Sequence, residues 1–369
     1  MPPLPDPRPA CLVTGIVSPY RREPFRLLAE AERVEVIAFS DAGPPVRGLV
    51  VHRTTQAGAV RMVASGRYRA VISGLGGRLA LPGSYLAARA RGVPFLLWAT
   101  IWAHPRTAAH ALSYLPTRHL YRAADAVITY GEHVSRYVES HRGGRGRVFV
   151  APQAVDVAHF GAPVSEAERA AARERAGAGQ SELLVLYVGR LEREKGVEVL
   201  VNAWRRAALG PRARLVLAGA GRAASTAAAA PATSLLGHVD EKDLPALYAA
   251  ADALVLPSIR TATFTEPWGL VVNEAMLQST PPIVSDAVGA AAGGLVRDGR
   301  NGLVFPAGDD RALAARLRAL AADSHLREQL GQHAREDALR LSPAAWAAGV
   351  GAALAAAGVG AQSGGGDSC

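Results

Sequence analysis

The chain has 369 residues, 49% of them apolar and 20% charged. That exceeds the about 250–300 residues at which one core stops growing, and it excludes a disordered, collagenous or disulfide-built protein in favour of two globular domains. Its net charge of +9 is lopsided: residues 1–150 hold 20 arginines, no lysine and 9 acids, a balance of +11, while the remainder balances at −2.

In the first half, strands are predicted at 10–17, 34–38, 48–51, 70–72, 94–99, 126–129 and 148–151. Helices are predicted between them at 26–32, 81–90 and 130–141. Several of these strands are almost wholly apolar, as parallel strands covered on both faces must be. The stretch 153–180 breaks the rhythm with Pro163, a polar Ala/Glu/Arg helix and Gly177-Ala178-Gly179. A second series follows, with strands at 183–188, 214–218, 233–236, 253–256, 282–285 and 302–305. Its helices are expected at 196–209, 244–250, 270–278, 311–322 and 326–341. The alternation predicts an α/β protein of two doubly wound, Rossmann-like domains, 1–165 and 166–345, joined near 154–165. Residues 346–369 read as a terminal helix and a flexible Ser/Gly tail. Ligands of such domains bind at the carboxyl ends of the strands, and a cleft between two of them is the default site.

Targeting and compartment follow from the same pass. The start Met1-Pro2-Pro3-Leu4-Pro5-Asp6-Pro7 lacks the charged-then-apolar pattern of a secretory signal. The apolar run 93–103 is too short to cross a bilayer, and the longer one at 344–362 is mostly Ala and Gly. Cys11 and Cys369, the second in the tail, do not suggest a disulfide, so a reducing, cytoplasmic location is expected. The basic first half would suit an anionic membrane surface, a diphosphate-bearing acceptor or nucleic acid. Nucleic acid is disfavoured, because no aromatic–basic RNA signature or helix-turn-helix pattern is present. A peripheral contact with an anionic membrane remains an expectation, although 39 arginines against 2 lysines also fit codon bias with no partner at all.

The densest chemistry lies in the segment Glu266-Pro267-Trp268-Gly269-Leu270-Val271-Val272-Asn273-Glu274. Pro favours the first position of a helix, so the helix is expected to start around 267–269 and to carry Glu274 about two turns in. Unpaired N–H groups at such a start form an anion site, and Gly269 lets backbone approach a ligand. A carboxylate at the rim and another along the helix suit a ligand with phosphate in the middle and hydroxylated rings at both ends, such as a nucleotide-sugar. The bland alternative is an acid favoured by the helix dipole and a solvated Glu274. Upstream, strand 183–188 runs into Gly189-Arg190, and Lys195-Gly196 opens the next helix. Arg190 and Lys195 are therefore placed to grip phosphate oxygens. Gly219-Ala220-Gly221 follows a strand but lacks the third glycine of a dinucleotide fingerprint, so alone it is a generic turn. Gly237-His238-Val239-Asp240 follows another strand, where its backbone could meet a base; His238 has no partners at metal-ligand spacing. Asp240-Glu241 and Asp309-Asp310 read as helix-start acids rather than metal ligands.

In this order, Gly189-Arg190, Lys195-Gly196, Gly219 and Gly221, Gly237-His238-Val239, Pro257-Ser258, Glu266 to Leu270, Glu274-Ala275-Met276, Ser285-Asp286 and Asn301-Gly302 resemble the retaining glycosyltransferases of family 4. The resemblance is dense over residues 150–345 and looser before, at Ala124 to Ile128 and Pro152 to Phe160. It implies the GT-B fold and transfer of a sugar, with retention, from a nucleotide-diphosphate sugar to an acceptor hydroxyl. By position, Arg190 and Lys195 would neutralise the diphosphate, Glu274 would hold ribose hydroxyls, and Glu266 would face the sugar. The amides of Trp268, Gly269, Leu270 and Val271 would touch sugar and phosphate, as would the glycine loops at Gly189, Gly219 and Gly221, with His238 and Val239 by the base. His104, after Trp98 to Trp102, lies near where members place a histidine facing the sugar. No metal or other cofactor is implied, since cationic side chains and the helix start do that electrostatic work. The chain departs from the pattern at Gln153-Ala154, often Asn-Gly, at Trp268, commonly Phe, at Ser279, usually Gly, and in lacking a double glycine after the first strand. Tyr20-Arg21-Arg22 and Trp102 to Arg106 are the acceptor-side candidates. The acceptor is expected to be a glycan or lipid-linked precursor of a cell-surface polysaccharide or glycolipid. A small natural product is the alternative acceptor, and a nucleotide-sugar 2-epimerase-like isomerase or a non-catalytic sensor are the alternative activities.

Overall fold

A computed structural model describes residues 6–103 and 108–360. The chain divides into two compact units: residues 6–103, 108–154 and 343–360 form the first, and 155–342 the second. Both are parallel sheets covered by helices, as the apolar runs require. Among the described residues, no helix is long and apolar enough to cross a membrane.

In the first unit the strands are β1 (Ala10–Ile16), β2 (Val34–Asp41), β3 (Val51–Arg53), β4 (Val71–Gly74), β5 (Phe95–Trp98), β6 (Ala126–Thr129) and β7 (Val148–Val150). They lie in the order β3-β2-β1-β4-β5-β6-β7. The winding direction reverses between β1 and β4, which marks the switch point of a doubly wound sheet. Leu12, Phe95, Leu96, Leu97, Val127 and Ile128 are wholly buried. Helices at Gln56–Ala64 and Ala108–Ala123 were not anticipated from the sequence; the second carries an internal Pro116, a residue that argues against a helix interior.

The helix Pro343–Ala356 belongs to this first unit, packing on the helix Arg22–Glu32 and on β6 and β7. Its close approach depends on Gly349, where a Cβ would stand 2.3 Å from the Val150 carbonyl. Buried Arg69 secures the end of that segment, donating to the carbonyls of Val359 (2.9 Å), Arg8 (2.8 Å) and Glu32 (2.5 Å).

The second unit contains β8 (Leu183–Val188), β9 (Ala213–Ala218), β10 (Thr233–Gly237), β11 (Ala253–Leu256), β12 (Pro282–Ser285) and β13 (Leu303–Phe305), ordered β10-β9-β8-β11-β12-β13. A Ser165–Glu168 capping box starts the helix Glu166–Arg175. From that helix buried Arg173 reaches the carbonyls of Ala250 and Gly179, fixing it to the end of the helix Leu244–Ala250 and to the loop before β8. Near β13, Asp337 accepts from Arg297 Nη2 at 2.5 Å and Asn301 Nδ2 at 2.7 Å. Burial alone would raise the Asp337 carboxyl, yet these two bonds hold it below its ordinary value. Asp337→Ala leaves Asn301 and the loop before β13 without their shared acceptor, and is expected to cost about 3 kcal/mol, read as a lower urea midpoint.

Candidate active site

The second unit gathers its polar side chains beyond the carboxyl ends of β8, β9, β11 and β12. Leaving β8, the chain passes through Gly189 at φ 150°; leaving β9, it passes through Gly219 and Gly221 at φ 147° and 155°. A Cβ on Gly219 would fall 1.9 Å from the Gly189 carbonyl, and one on Gly221 would fall 2.3 Å from that of Leu191. These glycines thus let two loops lie backbone to backbone, a packing reason for a pattern that in sequence reads as a generic turn.

Next comes the 3-10 turn Arg193–Lys195, which ends in Gly196 at φ 73°. The position a Gly196 Cβ would take is 1.9 Å from the Pro257 carbonyl, and Ile259 N donates to Glu194 O at 3.0 Å. The loop after β11 is thereby laid against the Lys195 turn. Lys195 Nζ sits 2.5 Å from Glu266 Oε2, and Ser258 Oγ donates to the same oxygen at 3.0 Å. Ser258 is itself placed by Ser285, whose hydroxyl donates to its carbonyl at 2.5 Å. The Lys195 and Glu266 side chains are only 16% and 8% exposed. The Phe264 ring centre lies 5.2 Å from Nζ, within cation–π range. Tyr187, wholly buried, donates to the Arg190 carbonyl at 2.6 Å; burial, with the Glu266 carboxylate adding to it, pushes its hydroxyl well above the usual tyrosine range. The Arg190 guanidinium points outward, 61% exposed and 3.1 Å from Glu194, a pair too solvated to fix it firmly.

Glu274 is set apart from that cluster. The helix expected to open near Pro267 starts instead at Leu270, with Gly269 as its cap at φ 93°, so Glu274 stands little more than one turn in. Residues 266–268 are taken up by a parallel bridge from Glu266 to Val288 and by the donation of Ala290 N to Trp268 O at 2.8 Å, which precludes helical backbone there. Trp268 is buried and donates from Nε1 to Asn273 Oδ1 at 2.7 Å, so its ring serves the core. Leu270 and Val271 form the half-buried first turn, whose amides have no partner within the helix. Glu274 accepts from the buried Tyr248 hydroxyl at 2.6 Å. Burial pushes the Glu274 carboxyl up to about 7; the Tyr248 bond and His159 oppose that rise, and Glu241 adds to it. His238 is 87% exposed and, with Val239, Arg175 and Leu247, lines a cavity of about 320 Å³. His104 lies outside the described residues.

The structure therefore joins Lys195, Glu266 and Ser258, leaves the Arg190 side chain exposed beside Glu194, and gives Glu274 a separate partner. Sequence reading missed Tyr187, Tyr248 and Phe264, although a tyrosine in the otherwise aliphatic Leu183–Val188 was a visible anomaly. Chemically the arrangement offers a held ammonium beside glycine-lined backbone, a helix start, and a carboxylate able to accept hydroxyl hydrogens once ionised.

Residues 168–337 match the family model described as glycosyl transferases group 1. The chain is 28% identical over 246 residues to an uncharacterized glycosyltransferase of Methanocaldococcus jannaschii, covering 64% of this chain and 60% of that protein. It is 34% identical over 230 residues to a D-inositol 3-phosphate glycosyltransferase of Xylanimonas cellulosilytica, covering 58% and 52%. It thus spans roughly half to three-fifths of these relatives' lengths. The crystal structure of Anabaena HepE in complex with UDP superposes with a TM-score of 0.74 at 20% identity, over 94% of this chain and 99% of that one. With two all-parallel units, this likeness shows the GT-B fold.

Proposed function

We propose that this chain is a retaining, metal-independent glycosyltransferase of family 4, moving a sugar from a nucleotide-diphosphate donor to an acceptor hydroxyl. The observation that carries the reading is the enclosed Lys195–Glu266 pair, a fixed ammonium at the strand ends beside a helix start. An ammonium has three donors, so Lys195 can keep Glu266 and still meet phosphate oxygens. As the bond from the anomeric carbon to the diphosphate breaks, its electron pair stays with the leaving oxygen. Lys195 and Arg190 neutralise that growing charge, and the first-turn amides of Leu270–Leu277 add to it. Glu266, on the same strand-end loop, faces the sugar, and Glu274 accepts the ribose hydroxyls. The acceptor hydroxyl adds to the anomeric carbon from the face the diphosphate leaves and passes its proton to the departing phosphate oxygen. Cell-surface polysaccharide or glycolipid synthesis on the cytoplasmic side, with peripheral membrane contact, fits the basic first half. The domains assigned to donor and acceptor are the second and first units.

Calorimetric titration with UDP tests the donor half of this reading. UDP affinity is expected to rise with pH through about 7, as Glu274 ionises and can accept both ribose hydroxyls. Glu274→Gln should flatten that rise and weaken binding about tenfold at pH 8. The stability sign is opposite to that of a paired carboxylate. Between its ordinary value of 4.5 and about 7, the folded chain keeps a proton that the unfolded chain has lost. Stability falls as pH rises through that window, and the cost is complete above it. Glu274→Gln should therefore melt higher than the parent at pH 8 in the absence of nucleotide. Failure of the wild-type protein to bind UDP, GDP or ADP at any pH would remove the proposal.

A further inference from the structure

The first unit holds a charged centre that donor chemistry leaves unused. Arg21 closes the 3-10 turn Pro19–Arg21 just beyond β1 and is 5% exposed. Its guanidinium carbon lies 4.2 Å from the Trp98 ring centre, 4.9 Å from Tyr20, 5.3 Å from Tyr130 and 5.9 Å from Trp346. Trp98 ends β5 and Tyr130 directly follows β6, so this aromatic box stands at the carboxyl edge of the sheet, where ligands of such folds bind.

What separates Arg21 from the other buried arginines is its lack of acceptors. Arg69, Arg142 and Arg173 each donate to three or more backbone carbonyls. The Arg21 guanidinium makes one hydrogen bond, from Nη2 to the neutral Tyr130 hydroxyl at 2.7 Å, and among the described residues no carboxylate pairs with it. Two donors of the box are also unmatched: Trp98 Nε1 and Trp346 Nε1 are enclosed without an acceptor. None of Arg21's own nitrogens is among such sealed atoms, so its remaining N–H groups face the small opening it retains. Ring faces repay part of the cost of burying a cation, but a desolvated charge without a counter-ion is otherwise unfavourable. A neutral sugar hydroxyl would not repay it. An oxyanion would, and a planar guanidinium fork suits one.

We propose that Arg21 in its aromatic box binds the oxyanion, phosphate or carboxylate, of the acceptor. The word acceptor rests on the glycosyltransferase reading; the anion site does not. The test follows tryptophan fluorescence of the full chain while inorganic phosphate, or acetate in a parallel arm, is added at constant ionic strength. Wild type should show a saturable change, weakened about tenfold or more in Arg21→Met and retained in Lys195→Met. A response to phosphate alone assigns a phosphate group, and one to acetate as well admits carboxylates. Without ligand, Arg21→Met should melt at or above the wild-type temperature, because it removes an uncompensated charge. Should Arg21→Met fail to fold, Arg21→Gln takes the same titration. Equal titrations in wild type and variant, or no saturable change in wild type, would overturn the site. UDP calorimetry keeps the two readings apart: Arg21→Met should bind UDP as wild type does, whereas Lys195→Met should not.

Discussion

Lys195→Met is expected to lower turnover of the nucleotide-sugar by about 100- to 1,000-fold, the range seen when one fixed charge or donor aimed at a developing anion is removed. The side chain keeps most of its length and its contact with Phe264, so packing changes little. Two things are lost together. On the proposed reading the diphosphate loses its more enclosed cation, and Glu266 Oε2 loses one of the two hydrogen bonds described above. The second loss takes the ammonium from a carboxylate only 8% exposed and should also lower stability. Lys195→Met/Glu266→Gln separates the effects. Stability should return in the double variant, because the buried carboxylate that lost its ammonium is gone as well, while turnover should stay low. Steady-state hydrolysis of the donor, with thermal melts of wild type and both variants, reads both. Near-normal turnover in Lys195→Met would end its assignment to the diphosphate.

Gly196→Ala should do comparable damage without touching any charge. Gly196 combines a φ of 73° with a Cβ position 1.9 Å from the Pro257 carbonyl, so an alanine must displace backbone. The neighbours that move would be the Lys195 turn and the loop carrying Ser258. A loss of about 2–4 kcal/mol in unfolding free energy is expected, since a strained backbone adds to a main-chain clash. Nucleotide affinity should fall with it. Gly308→Ala is the control: Gly308 also has positive φ, 85°, but a Cβ there meets nothing within 4 Å, so only the smaller conformational cost applies. Equal melting temperatures for the two variants would show that the Pro257 contact does not matter.

Legibility of the chain tracked how local each feature is. β8, β11, β12 and the helix Leu244–Ala250 have the boundaries read from sequence, because unbroken apolar runs between Gly, Pro and Asp leave little choice. The helix Ala108–Ala123 was hidden by Pro116. The start at Leu270 rather than Pro267 was illegible because the bridge from Glu266 to Val288 decides it from 22 residues away. Glu266, Lys195 and Glu274 could be singled out by residue type and order. Their partners could not: Tyr248 lies 26 residues from Glu274. The Arg21 box is the extreme case, assembled from positions 20, 21, 98, 130 and 346. In sequence, Tyr20-Arg21-Arg22 can be picked out as a basic, aromatic acceptor-side candidate, but its partners at 98, 130 and 346 cannot.

The return of Pro343–Ala356 to the first unit bears on how the polypeptide matures during synthesis. Residues 155–342 can collapse into a finished body as soon as they leave the ribosome, whereas the earlier-made residues must wait for the segment that supplies Trp346 against Phe25 and Trp98. Translation order and folding order are thus inverted. During that interval the nascent first unit exposes the apolar flank of β6 and β7 that this helix later covers, making it the stretch most in need of chaperone protection.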